Sequence, residues 1–372
     1  MKRLLMTALL AACTADAPPS DPTHDEWDDK LAEREVDYNA ALRIAALRLT
    51  GELPTLVELD AIATAPDAVA QKAAYETQVQ RYLGTTKFTR QMVRYAQDML
   101  KMGGAPELDS APVFVAQLIV DNRSFLDVLT ATKGTCPTYN ATNGSFTAAD
   151  CGNGAPATVG LLTHPGVHAH FFSNLGFRRA RWVQETFACT KFPAELATVA
   201  TDLGALMPYT GKFPFNSIAG KATNGRVDFL DTKSVICANC HSNMNHITPL
   251  LAYYDANGQY SPTMAVPVPL PDNPNAEMRD YLPPGEGLAW RFGVPVTDMT
   301  SLGRAMAADP AIAECAIARV WNWAMGKNDI VDDAARVPTA TIEAQVEAFR
   351  ADNHNLKNAM YRVFTSDDFV RF

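Results

Sequence analysis

Residues 237 to 241 read Cys-Ala-Asn-Cys-His, the densest concentration of reactive side chains in this 372-residue chain. Thiols at Cys237 and Cys240 stand on one turn if the segment is helical, and His241 follows directly. That spacing suits thioether attachment to the two vinyl-derived carbons of a porphyrin, with the imidazole of His241 as proximal iron ligand. The expectation is therefore one covalent haem c held by Cys237, Cys240 and His241. Three other chemistries use the same residues. A thioredoxin-type dithiol calls for a strand before the motif in a βαβ setting, which the sequence lacks. Zinc would take Cys237, Cys240, His241 and His246, but adjacent Cys240 and His241 crowd a tetrahedral site. The last is a plain disulfide between Cys237 and Cys240.

A distal iron ligand is expected from a methionine after the motif. Met299 fits best, lying beyond a proline-rich loop and just before helical sequence; Met264, Met278, Met306 and Met325 are its rivals. His164, His168 and His170 offer bis-His ligation instead. An iron with no strong sixth ligand would be open to small molecules, so a peroxidase- or oxidase-like enzyme is the alternative to an electron carrier.

Haem of this kind is attached outside the bacterial cytoplasm, and the first residues agree. Met1-Lys2-Arg3, the short apolar run from Leu4 and Leu10-Ala11-Ala12-Cys13 have the form of an export signal ending in a lipobox, which predicts a lipid-modified Cys13. The membrane is then reached through the anchor, on the periplasmic or cell-surface side. Net charge is −9, or −11 once Lys2 and Arg3 are removed, which disfavours nucleic acid as a partner. Seven cysteines are an odd count; lipidation takes one and haem takes two. Cys136, Cys151, Cys189 and Cys315 remain. Cys136 and Cys151 bracket a turn-rich loop and are the simplest pair, leaving Cys189 with Cys315 as a second bridge or as two buried thiols.

The elements that must position these residues read as mainly α. Residues 14–30 are an acidic, Pro-rich tether and 31–135 a helical N-terminal domain; 136–230 are loop-rich, 231–330 a cytochrome c-like haem domain, and 331–372 closing helices. Leu31, Ala40, Ile44 and Leu47 outline the first helix, stopped at Gly51, and Thr55-Leu56-Val57-Glu58 opens the second with a capping box. Helices are also expected over Asn174–Cys189, Ala194–Leu206, Thr341–Phe349 and Asn355–Phe364. Prolines from Pro262 to Pro284 force an extended loop. Asp309-Pro310 starts a helix with Cys315 on its apolar stripe and Arg319 at the stripe's edge, ended by Gly326.

Several blocks, in order, resemble the cytochrome c-like modules of planctomycete and myxobacterial exported proteins. They are Leu47-Arg48-Leu49-Thr50-Gly51-Glu52-Leu53-Pro54-Thr55, Leu161 to Gly166, Arg179 to Val183, Arg226 to Asp231, the Cys237–His241 motif, Tyr254 to Tyr260, and Trp321 to Lys327. The similarity spans most of residues 40 to 330 and implies export and haem c without naming a substrate. The chain departs from that pattern at His246-Ile247-Thr248-Pro249, where many relatives carry an acidic residue before proline. The redox partner is left unnamed by both readings.

Overall fold

Side-chain caps or a first-turn proline begin many of the helices in the computed structural model, which describes residues 26–193, 199–201, 203–204, 222–223, 226–227, 235–268, 270, 272–282, 285–327 and 336–372. α1 (Glu26–Ala32) starts inside the stretch expected to be tether. α2 (Tyr38–Thr50) is capped by Asp37, whose carboxylate accepts from two backbone N–H groups, and Gly51 ends it at φ 77°. In α3 (Leu56–Ala63) the Thr55–Glu58 capping box closes as expected. α4 (Ala68–Tyr82) and α5 (Thr86–Leu100) begin at the side-chain caps Asp67 and Thr85, and α6 (Pro106–Val120) has proline in its first turn.

The face of α2 is not the one expected. The single first helix expected from Leu31 to Gly51 is two, with Leu31 in α1; on α2 Leu47 is half-exposed and Ala40 and Ile44 only partly buried, whereas Ala41, Leu42, Ala45, Ala46 and Leu49 are buried. Alanines on that side let α4 and α5 approach closely, so close packing rather than side-chain bulk selects the inner face.

Short α7 (Asp127–Thr130) leads to a hairpin of β1 (Thr138–Asn140) and β2 (Ser145–Thr147) inside the Cys136–Cys151 loop, where little regular structure was expected. α8 (Pro165–His170) follows; the helix expected from Asn174 begins only at Phe177, as α9 (Phe177–Phe187), because Leu175 and Gly176 before it stand at φ 59° and 86°. A two-residue hairpin, β3 (Ala222–Thr223) with β4 (Arg226–Val227), precedes α10 (Val235–Met244) and α11 (Thr248–Leu251). The proline-rich stretch forms no α-helix among its described residues; beyond it β5 (Ala289–Trp290) pairs with β6 (Val294–Pro295). Four helices finish the chain: α12 (Met299–Ala308), α13 (Pro310–Ala324), α14 (Thr339–Ala351) and α15 (Leu356–Phe364), with a last turn, α16 (Asp367–Val370).

The fold is mainly α, as expected. Its apolar core runs through all four expected segments, from Leu42 through Leu161 and Ile247 to Phe349. α13 and α15 carry the closure: α13 packs on α2, α9 and α14, and α15 on α4 and α6. Phe372 and Glu35 exchange backbone hydrogen bonds of 2.9 and 3.0 Å, fastening the chain end beside the start of α2. Arg319, expected to snorkel, is buried with Nη2 donating to the Glu185 carbonyl at 3.0 Å, because α9 covers that edge of α13. Cys315 faces the core as expected and stands at disulfide distance from Cys189, with Cα atoms 5.4 Å apart; Cys136 and Cys151 are likewise paired at 5.2 Å. Among the described residues no helix is long and apolar enough to cross a membrane.

Candidate functional site

All five motif residues lie within α10. On a helix, positions three apart share a face, so Cys237 and Cys240 fall on one side of α10; the side chain of Cys237 and all of Cys13 lie outside the described residues. Cys240 and His241 are half-buried. The His241 ring is held at both its edge and its Nδ1. Nδ1 lies 2.9 Å from Oδ1 of Asn245, one turn on, and the Phe177 ring of α9 stands edge-on to the imidazole at 4.4 Å. Phe177 is braced in turn by Tyr281, whose hydroxyl donates to the Leu175 carbonyl.

An amide oxygen only accepts, so Asn245 puts the proton on Nδ1 and leaves the lone pair on Nε2. Nε2 takes part in no hydrogen bond among the described residues. Burial lowers the His241 pKa below the ordinary imidazole value, with the Asn245 hydrogen bond opposing it. The ring is therefore neutral near pH 7, with one nitrogen ready to ligate a metal and the other oriented by an outer partner, as metal-ligating histidines usually are.

α10 is itself clamped from outside. Asn239 and Asn243, one turn apart, face the segment 199–204: the Asn239 amide donates to the Val199 carbonyl at 2.8 Å and accepts from the Thr201 N–H at 2.9 Å, and Asn243 donates to the Leu203 carbonyl at 2.7 Å. This overturns part of the helix expected over Ala194–Leu206: its described residues, 199–201 and 203–204, are not helical. Their backbone groups are satisfied by α10's amides instead of by each other.

His246 does not join the motif. Its Nδ1 faces the Ser242 carbonyl at 3.0 Å and its Nε2 the Glu286 carboxylate at 2.8 Å, so both ring nitrogens are committed away from a Cys₂His₂ zinc set. The three upstream histidines are dispersed too. His164 Nε2 lies 3.2 Å from Ser110 Oγ, His168 Nε2 donates to the Leu162 carbonyl at 2.8 Å, and His170 Nε2 to that of Lys101 at 3.1 Å. His168 also stacks flat on Tyr254 at 3.6 Å. Met299 occupies the first position of α12, half-buried against the core; α12 packs on α7 and β5, whereas α10 packs on α9. Met306 and Met264 are buried, Met325 caps α13, and Met278 is exposed.

A buried arginine ties this region together. Arg179 of α9 donates from Nε and Nη2 to the His168 carbonyl, from Nη1 to the carbonyls of Leu251 and Tyr254, and from Nη2 to that of Asp255, all between 2.6 and 3.0 Å. Burial lowers its pKa to about 10, which leaves it charged at neutral pH. Through these bonds the end of α8, the end of α11 and the Tyr254–Tyr260 turn are fixed to the helix that presents Phe177 to His241. Leu175 and Gly176, just before Phe177, form one wall of a 440 Å³ cleft faced by Val266 and Val268.

Asn245, Phe177 and Glu286 were not singled out from sequence, and Arg179 entered only as the first residue of a resembling block. Only Asn245 left a readable signal, an amide one turn after the histidine. No protein-family model, curated protein or solved structure matches this chain.

Proposed function

We propose that this chain is a lipid-anchored, exported monohaem c-type cytochrome that passes electrons to or from a partner at a bacterial membrane. The observation that carries the reading is the state of His241: on the same helix as both motif cysteines, with Nδ1 bound to Asn245 and Nε2 without a hydrogen bond among the described residues. The donor set fits covalent haem, with Cys237 and Cys240 for attachment and His241 for the proximal position. When bound, haem supplies a one-electron iron couple. Asn245 then orients the imidazole and sets its basicity, and Phe177 limits its rotation. The clamp of Asn239 and Asn243 on residues 199–203 holds α10 in place. Met299 is the proposed distal ligand. The ordered blocks resembling planctomycete and myxobacterial cytochrome c-like modules support the same reading, as does the Cys13 lipobox.

Co-expression with a c-type maturation system and visible spectroscopy tests it. The expected product keeps haem through denaturing electrophoresis and shows a low-spin reduced α band. His241→Ala should abolish that spectrum, and Met299→Ala should convert it to high spin. Absence of covalent haem would overturn the proposal, and a high-spin spectrum of the unaltered protein would replace the carrier with a haem enzyme.

A further inference from the structure

The two cysteine pairs are surrounded by different chemistry. Cys189 and Cys315 join α13 to the end of α9, and Cys315 is buried. Cys136 and Cys151 are both half-buried, at the base of the β1–β2 hairpin, and meet a buried imidazole: His164 Nε2 lies 3.3 Å from Cys136 Sγ. The same nitrogen is 3.2 Å from Ser110 Oγ, and Cys151 Sγ is 3.3 Å from Thr135 Oγ1.

The tautomer of His164 follows from its other side. Nδ1 accepts the Gly166 backbone N–H at 3.1 Å as the N-cap of α8, so the ring proton is on Nε2 and points at the sulfur and the serine hydroxyl. Burial holds its pKa down to about 4, so the ring is neutral. A metal bound by Cys136, Cys151 and His164 would need a lone pair on Nε2, which the Gly166 hydrogen bond denies. What the arrangement offers is an N–H donor aimed at one sulfur of a disulfide.

We propose that Cys136–Cys151 is a reducible redox pair for an external protein dithiol, with His164 making Cys136 the leaving sulfur. A thiolate of the dithiol attacks Cys151 Sγ; the Cys136–Cys151 bond breaks, and its electron pair departs on Cys136 Sγ, stabilised by the Nε2–H. The second thiol of the dithiol then attacks the mixed disulfide and releases Cys151. Two electrons pass to the protein, the dithiol becomes a disulfide, and its two protons end on Cys136 and Cys151. His164 donates a hydrogen bond throughout and loses no proton. Thiol–disulfide exchange favours the leaving group with the lower pKa, which supplies the direction.

The test is graded reduction of the full chain with dithiothreitol, followed by iodoacetamide labelling and mass spectrometry across pH. Cys136–Cys151 is expected to open before Cys189–Cys315. Within the opened pair Cys136 should label faster than Cys151, with its inflection below the ordinary thiol value of about 8.5. Ser110→Ala removes the competing acceptor without disturbing the His164 cap, and should lower the Cys136 inflection further. His164→Phe should raise it, slowing labelling at pH 7 by about tenfold per unit of thiol pKa. Opening of Cys189–Cys315 first, identical pH profiles for the two thiols, or a Ser110→Ala profile unchanged from the parent would each overturn the proposal.

Discussion

Arg179→Met removes a charge whose donors all serve main-chain oxygens. Four carbonyls lose a partner, those of His168, Leu251, Tyr254 and Asp255. Asp255 keeps a second donor in the Gly258 N–H at 3.2 Å, so three groups bear most of the cost. A buried acceptor left without a donor costs about 1–3 kcal/mol, partly offset here by no longer burying a guanidinium, giving about 3–4 kcal/mol in all. With an unfolding entropy near 2 cal/mol/K per residue, a chain of 372 residues should melt about 4–5 °C lower. Urea denaturation of the oxidised protein, followed by circular dichroism, measures the difference directly. Arg179→Lys keeps the charge but has three donors in place of the planar fork, and should cost about 2 kcal/mol. Added salt should leave both values unchanged, because the site is shielded from counterions. A loss below about 1 kcal/mol for Arg179→Met would mean instead that the carbonyls find other donors at little expense and that the arginine does not hold these segments.

Further expectations follow from individual residues. His164 is neutral when folded, with a pKa near 4 against 6.5 when unfolded, so the unfolded chain alone takes up a proton as pH falls between those values. Its contribution is complete above about 6.5 and should fall by about 2 kcal/mol between pH 7 and pH 5; buried His168, shifted the same way by burial and by Arg179, adds to the slope. Urea midpoints across that range check this, and a flat profile would contradict it. Gly258→Ala places a Cβ 2.0 Å from the Pro165 carbonyl oxygen at a φ of 73°, and should destabilise by about 3 kcal/mol. Gly285→Ala, also at positive φ but with nothing within 4 Å, should cost only about 1 kcal/mol, and thermal melts of the two variants separate clash from backbone strain. With the proposed haem attached, Asn245→Asp would give the His241 Nδ1–H a stronger acceptor, so a potentiometric titration should find a lower reduction potential; no change would remove Asn245 as the orienting partner.

Much of the helical framework was legible because its signals are local. The Thr55–Glu58 box, the Asp309-Pro310 start of α13 and the Asn355 cap of α15 each bond within a few residues, so sequence neighbours decide them. Pairing of Cys136 with Cys151 was the simplest choice for a similar reason, since only a short turn-rich loop separates them in sequence. The inner face of α2 was not legible, because alanine carries little hydrophobic signal and becomes an inner-face residue only when another helix packs closely on it. Nor was the fate of Val199, Thr201 and Leu203, part of a stretch read as helical, whose backbone groups bond the amides of α10.

Residue type and short spacing were enough to read the mainly α class, several helix starts such as those at Thr55, Asp309 and Asn355, and the reactive set at 237–241. What surrounds those residues came from long-range packing. Arg179 reaches carbonyls more than seventy positions away. His164 reaches Ser110 and Cys136, and His246 reaches Glu286 rather than the motif. His241 is braced by Phe177 from another helix. Such contacts depend on how helices pack, and packing is set by the summed burial of the whole core rather than by any local pattern. That is why the motif could be read in the sequence, while the packing of Phe177 against its histidine could not.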